Sequence, residues 1–319
     1  MIYLFLIILF FLFSYFYLNL AERLNIIDKP NERSSHKTVT LRGGGILFPL
    51  AMLCYAVIFS PSSYFLVGAL LLIGMISFWD DVQNLPNRVR LLVHLLSVTM
   101  LLYAFEAFHI WPVWLIPIGY FFIIGTINGY NFMDGINGMT GLYSLIGLCS
   151  LLFVNVYIEP FTDNAFIICP ILASMVFLFF NFRKKAKCFA GDVGSVSMGF
   201  WMIALILMAI IETGSIKYIL FLSVYGVDTA LTVGHRLLLK QNIFEAHRLH
   251  FYQILANDKK VNHLVVASIY GGLQLGINWF LISVEMGIVP LVGLSTLPLV
   301  VVYVGLKPKL MKKEKKVYA

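Results

Sequence analysis

Charge is what this sequence has least of. Asp, Glu, Lys and Arg make up 12% of its 319 residues, where a soluble globular chain carries about a quarter. With 60% hydrophobic residues and a mean hydropathy of +0.87, that scarcity leaves no room for soluble domains, and no nucleic acid is expected as a partner. Cysteine is sparse too. Cys54, Cys149, Cys169 and Cys188 show neither metal-ligand nor thioredoxin-like spacing, and three lie in apolar runs, which argues against a disulfide framework. There is no long internal repeat and no low-complexity tract beyond a basic tail from Lys307 to Lys316. The first apolar run lacks the basic start of a secretory leader and a good small-residue cleavage site, so a retained first span is expected.

What is abundant is apolar sequence in runs of membrane-spanning length. A bilayer core needs about 20 apolar residues per helical span, and backbone in lipid must satisfy its own hydrogen bonds, which makes the spans helices. Eleven are expected, at about 2–20, 45–60, 64–79, 91–108, 112–127, 139–157, 165–182, 195–211, 216–234, 263–284 and 287–306. The fold class that follows is all-α and polytopic, one integral membrane domain over residues 1–319. With the N-terminus outside and the C-terminus in the cytoplasm, 22 of the 23 Lys and Arg residues fall on inside segments and only Lys217 outside, as the positive-inside rule requires. The net charge of +7 largely follows from this, and it also suits anionic lipids and phosphate substrates. The inside loops hold nearly every unusual polar residue.

Asp80 and Asp81 close the third span. Adjacent carboxylates repel, so they want a counter-cation, a metal or a shared proton; pairing with Arg88 or Arg90 is the bland alternative. The segment 128–138 has no Lys or Arg, and Asn128, Asn131 and Asp134 recur every three residues along it. On a helix they form one polar stripe, with oxygen atoms suited to Mg²⁺ or to a nucleotide's hydroxyls and base. Asp192 stands between glycines in Ala190-Gly191-Asp192-Val193-Gly194. It is either a helix N-terminal charge or a hard oxygen ligand for Mg²⁺. His247, Arg248 and His250 form a cluster suited to phosphate or sugar more than to zinc, since no Cys or HExxH pattern accompanies it. Asp228 lies inside a span, either as part of a site or as the partner of Arg236. The glycines at 43–45 enter a helix and can present backbone N–H groups to a phosphate.

In order and on one membrane face, these segments resemble the polyprenyl-phosphate N-acetylhexosamine-1-phosphate transferase superfamily, in its bacterial branch that uses UDP-N-acetylglucosamine. The stretches that carry the resemblance are Asp80-Asp81, the NxxNxxDG pattern from Asn128, FAGDVGS from Phe189 and HRLH from His247. The resemblance implies transfer of a sugar-1-phosphate from a UDP-N-acetylhexosamine to undecaprenyl phosphate, with release of UMP. It implies Mg²⁺, or Mn²⁺ in its place, a bacterial inner (cytoplasmic) membrane location with the active site on the cytoplasmic face, membrane lipid around the chain and a homodimer as a candidate assembly. Such a reaction initiates lipid-linked synthesis of cell-wall polymer, lipopolysaccharide O-antigen or capsule.

Residue by residue, the resemblance makes Asp80 and Asp81 catalytic. It gives Asp192 and Asn131 to the metal. Asn128, Asn131, Asp134, Gly135 and Asn137 fall to the nucleotide, Phe189 to the uracil ring, Lys37 to the phosphates, and His247, Arg248 and His250 to the sugar and phosphates. Asn84 and Asn137 stand where many relatives have Asp, Leu41 replaces a usual Pro, and HRLH is poorer in His than the peptidoglycan-precursor branch. These departures argue against a muramyl-pentapeptide donor and towards an aminosugar donor. A transporter with a cytoplasmic vestibule would need polar residues deep in several spans, and Asp228 is nearly alone there.

The charge bias generates a direct test. In a Cys-free background, His36→Cys, Asn84→Cys, Lys187→Cys and Asp258→Cys are each expected to resist an impermeant thiol reagent in intact cells. Labelling of any one of them from outside, in protein that remains active, would overturn the orientation.

Overall fold

The computed structural model describes residues 1–30, 35, 38–59, 61, 64–83, 85–242 and 248–311. Lys37, His247, Asn84 and the end of the basic tail lie outside the described residues. The chain is helical almost throughout: α1 (Ile2–Arg23), α2 (Leu47–Phe59), α3 (Tyr64–Val82), α4 (Asn87–Ala104), the single turn α5 (Ala107–Ile110), α6 (Leu115–Met133), α7 (Met139–Tyr157), α8 (Asn164–Asn181), α9 (Gly191–Thr213), α10 (Ser223–Leu238), the single turn α11 (Phe251–Gln253), α12 (His263–Ser283) and α13 (Ile288–Met311). A short antiparallel ribbon pairs Ile27–Asp28 with Thr40–Leu41, and Leu41 also bridges Cys188.

Among the described residues, nine helical stretches are long and apolar enough to cross a membrane, two fewer than the eleven expected. The two differences have separate causes. Helix α2 has only 13 residues, about 20 Å at 1.5 Å per residue, and falls short of a bilayer core. Helix α4 starts with Arg88 and Arg90 and carries a buried His94, which lowers its apolarity. The span expected at 216–234 is a 3-10 segment, Ile216–Leu222, running into α10. Helix α6 continues to Met133, past the expected end of its span near 127, and Asn128 and Asn131 ride on its last turns.

Helix α9 is the axis of the bundle, buried along most of its length from Val193 to Ala209 and packed against α2, α3, α6 and α7. Lipid offers no hydrophobic gain for helix association, so close backbone approach and interhelical hydrogen bonds carry it. Both are present. A Cβ on Gly45 would stand 2.1 Å from the Cα of Gly194, so the turn before α2 lies directly on α9. Between α7 and α12, Tyr143 donates to Gln274 (2.6 Å), Gln274 to Asn278 (2.7 Å) and Asn278 to Ser150 (2.9 Å), all away from solvent.

Overpacking of this contact has a predictable cost. Gly194→Val is expected to lose about 1–3 kcal/mol through forced backbone shifts, read as a lower thermal midpoint in detergent. Gly226→Ala, where added atoms meet open space, is expected to leave the midpoint unchanged.

Candidate active site

One end of the bundle gathers three carboxylates and two guanidinium groups from four separate stretches of chain. Asp80 and Asp81 end α3, Asp192 begins α9, Arg90 lies in the first turns of α4, and Arg42 follows the ribbon. Arg42 reaches Asp81 at 2.7 Å and Asp192 at 3.3 Å. Arg90 reaches Asp80 at 2.9 Å and Asp192 at 3.0 Å. Backbone completes the compensation. The amides of Asp192 and Val193 donate to the two oxygens of Asp81 at 2.9 and 3.0 Å, and the amide of Leu85 donates to Asp80 at 2.7 Å. The Asp81 side chain is fully buried. Burial works against the charge of Arg42, but Asp81 and then Asp192 outweigh it and raise its pKa.

The polar stripe of α6 runs up to this cluster. Asn131 accepts from Ser195 of α9 at 2.9 Å, and Asp134 accepts from Thr140 at 2.7 Å. Asn128 turns back on its own helix, donating to the carbonyl of Ile124. Asn137 holds the neighbouring loop by donating to the carbonyl of Arg183 at 2.8 Å. Gly135 packs under Tyr252, where a Cβ would stand 2.2 Å from the phenol oxygen. Burial is the main cause that pushes the Asp134 carboxyl up to about 7; Thr140 lowers it, Asp192 raises it and Arg42 lowers it.

A cavity of about 510 Å³ opens beside the cluster. Its wall includes Thr40, Asn137, Lys184, Phe189, Arg248 and Lys260, a flat ring among cations and polar groups. A second, apolar groove of about 530 Å³ is lined by Ile46, Met75, Phe78, Trp79 and Val193. Two chain segments pass from one to the other through the cluster. Thr40 lines the cavity, Arg42 is in the cluster and Ile46 lines the groove; Phe189, Asp192 and Val193 repeat that order.

The expected residues therefore divide. Asp80, Asp81 and Asp192 are brought together, with Asn131 and Asp134 on the adjoining helix end. Asn137, Phe189 and Arg248 line the cavity, but His250 does not: it is 1% exposed, with Nδ1 3.4 Å from Asp228. A segment that must dock on a membrane helix turns one of its polar side chains inward. The glycine triplet is not an open anion cradle either, because the amides of Gly44 and Gly45 are taken by the carbonyls of Phe189 and Ala190 at 2.8 and 3.0 Å. Sequence reasoning missed Arg42, Lys184, Lys260 and the staple Asn181, which accepts from the Gly138 amide and donates to the Cys188 carbonyl. Arg42 sits just before the noted glycines, and its position there was the available signal.

The cluster's donor chemistry, carboxylate and amide oxygen, fits a hard divalent cation. Among the described residues no three acidic, His or Cys side chains are arranged to hold a metal ion; Arg42 and Arg90 stand between the acids.

Residues 63–210 match a family model, that of Glycosyl transferase family 4. The chain is 23% identical over 275 residues to a Bacillus subtilis protein named "Probable undecaprenyl-phosphate N-acetylglucosaminyl 1-phosphate transferase", covering 79% of this chain and 75% of that one. It is 24% identical over 218 residues to an Escherichia coli K12 "Undecaprenyl-phosphate alpha-N-acetylglucosaminyl 1-phosphate transferase", covering 61% of this chain and 58% of that one. It is 27% identical over 274 residues to a Dictyoglomus thermophilum "Phospho-N-acetylmuramoyl-pentapeptide-transferase", covering 76% and 86%.

The raised pKa of Asp134 sets a pH dependence. Its folded value of about 7 lies above the ordinary 3.8, so the folded state holds the proton more tightly. The stability this contributes is complete below about pH 4 and is lost as pH rises through about 7. In EDTA, the thermal midpoint of the wild type is expected to fall between pH 5 and 8 more steeply than that of Asp134→Asn. Parallel slopes would show that Asp134 is ionised throughout.

Proposed function

We propose that this chain, whose residues 63–210 match glycosyl transferase family 4, transfers N-acetylhexosamine-1-phosphate from a UDP-sugar to undecaprenyl phosphate and releases UMP. The observation that carries this reading is the succession, along two chain segments, of a polar cavity with a flat ring and cations, an acid and arginine cluster, and an apolar groove. A UDP-sugar suits the first, and a polyprenyl tail suits the last.

In the reaction an oxygen of the acceptor phosphate attacks the sugar-linked phosphorus of the donor. The pyrophosphate bond breaks and its electron pair leaves with UMP. Both reactants are anionic, so repulsion and misorientation are the main obstacles. Arg42 and Arg90 supply fixed positive charge where the phosphates meet, and Arg248, Lys184 and Lys260 supply it along the cavity. Phe189 offers its face to the uracil. Asp80 or Asp81 accepts the proton of an incompletely ionised acceptor phosphate. Asp192, with Asn131, would hold Mg²⁺ or Mn²⁺, which supplies charge neutralisation on the transferred phosphoryl group.

The aminosugar donor rests on the motifs. HRLH and the Asn residues at 84 and 137 depart from the peptidoglycan-precursor pattern. The 27% identity to the Dictyoglomus protein favours a second reading, a muramyl-pentapeptide donor. The distribution of Lys and Arg supports a cytoplasmic active site on a multi-pass protein of the bacterial cytoplasmic membrane.

Purified protein with Mg²⁺, undecaprenyl phosphate and a panel of UDP-sugars is expected to form a lipid-pyrophosphate sugar from UDP-N-acetylhexosamine. Asp192→Asn and Asp80→Asn are each expected to lose at least ~10²-fold in turnover. Product from UDP-muramyl-pentapeptide alone would select the second reading. Full activity of both variants in EDTA would remove the metal-dependent chemistry.

A further inference from the structure

Asp228 is a carboxylate inside α10, 3% exposed, and no step above uses it. Its surroundings are unusually complete. Tyr270 of α12 donates to it at 2.7 Å, Thr232 at 3.2 Å, and the amides of Phe251 and Tyr252 at 2.9 and 3.4 Å. The ring of His250 lies 3.4 Å away. The neighbouring helix α12, the next turn of α10 and the segment that follows Arg248 thus converge on one side chain. A second group closes the node from α13. Lys307, also 3% exposed, bonds to Tyr303 and reaches Thr232 at 3.4 Å, while Tyr303 and Thr232 share a hydrogen bond of 2.6 Å.

The segment held by this node is part of the cavity's frame. Arg248, two residues before His250, and Asn257, five residues after Tyr252, both line the cavity. Tyr252 donates to the carbonyl of Phe132 at the end of α6 and lies over Gly135. A shift of 250–252 therefore displaces the cavity wall and the end of the polar stripe together.

We propose that Asp228 is the positioning residue for the donor-binding segment, and that α13, through Lys307 and Tyr303, belongs to the same frame. The donor half of this proposal rests on the transferase reading. A buried acid is a costly way to fill space in a membrane protein, but its two oxygens fix two successive amides, and an apolar contact cannot do that.

The test compares wild type, Asp228→Asn and Lys307→Met by hydrogen exchange of the ligand-free protein in nanodiscs and by steady-state kinetics. In Asp228→Asn, exchange over 248–258 is expected to quicken at least ~10-fold, with α9 peptides unchanged. KM for the UDP-sugar is expected to rise about tenfold, the size of one lost charge-assisted hydrogen bond, with kcat and the KM for undecaprenyl phosphate near wild type. Lys307→Met is expected to move the same quantities in the same direction by less. Tyr270→Phe, which removes one bond and keeps the ring, covers the case in which Asp228→Asn does not fold. Unchanged exchange over 248–258 in every folded variant would overturn the proposal, as would a rise in both KM values together with faster exchange in α9. Faster local exchange in a protein that uses no UDP-sugar would uphold the anchoring and remove the transferase reading instead.

Discussion

The rest of the structure turns on the compensation of three carboxylates at the end of an apolar bundle. Ionised acids at a membrane boundary cost several kcal/mol unless paired and hydrogen-bonded. Here the pairing is shared: each arginine spans two acids, and Asp192 is common to both. This ties the end of α3, the starts of α4 and α9 and the strand before α2 into one unit. It also dictates backbone. For Asp81 to reach the amides of Asp192 and Val193, the chain must turn sharply at Gly191, which has φ +72° and stands where a Cβ would be 2.4 Å from the carboxylate. Only glycine meets both demands without strain.

The same unit holds the loops. The carbonyls of Phe189 and Ala190 accept from Gly44 and Gly45, and Leu41 accepts from Phe189 at 2.9 Å, so two loops distant in sequence run side by side over α9. Asn137 and Asn181 fix the basic stretch between α8 and α9. Cys188 lies inside this junction, its thiol pushed up to about 12 by burial, which makes it a packing residue and not a nucleophile.

Helix existence was legible in the sequence, because eleven apolar runs each meet a helix in the structure. Their fitness to span was less so, since length in α2 and charge in α4 are properties of the ends, where periodicity and hydropathy are weakest. The pairing of the acids with Arg90 was readable as one of two alternatives. Arg42 was missed, because its partners lie 39 and 150 residues away and its place before the glycines was the sole local sign of it. The polar stripe was legible as one face of a helix, but the span's end was not: Asn128 and Asn131 sit on a helix that carries on past the apolar run. His250 shows the converse case. A histidine in a polar loop looks available, yet docking of that loop onto α10 turned it inward.

The order of the three sites follows from the two segments that cross the cluster. In each, a residue suited to a polar ligand, a charged residue and an apolar residue succeed one another within a few positions: Thr40, Arg42, Ile46, and Phe189, Asp192, Val193. A water-soluble nucleotide and a lipid-bound phosphate approach from media that do not mix, so a catalyst joining them needs a wall that changes polarity over the length of a pyrophosphate. Short, glycine-paired segments lying against a fixed helix provide that change without a mobile element between the halves. The acids at the crossing point are then compensated by arginines rather than by lysines, because a planar guanidinium spans two carboxylates at once. That geometry offsets two of the three carboxylate charges while leaving the arginines at the boundary where two phosphates would have to meet.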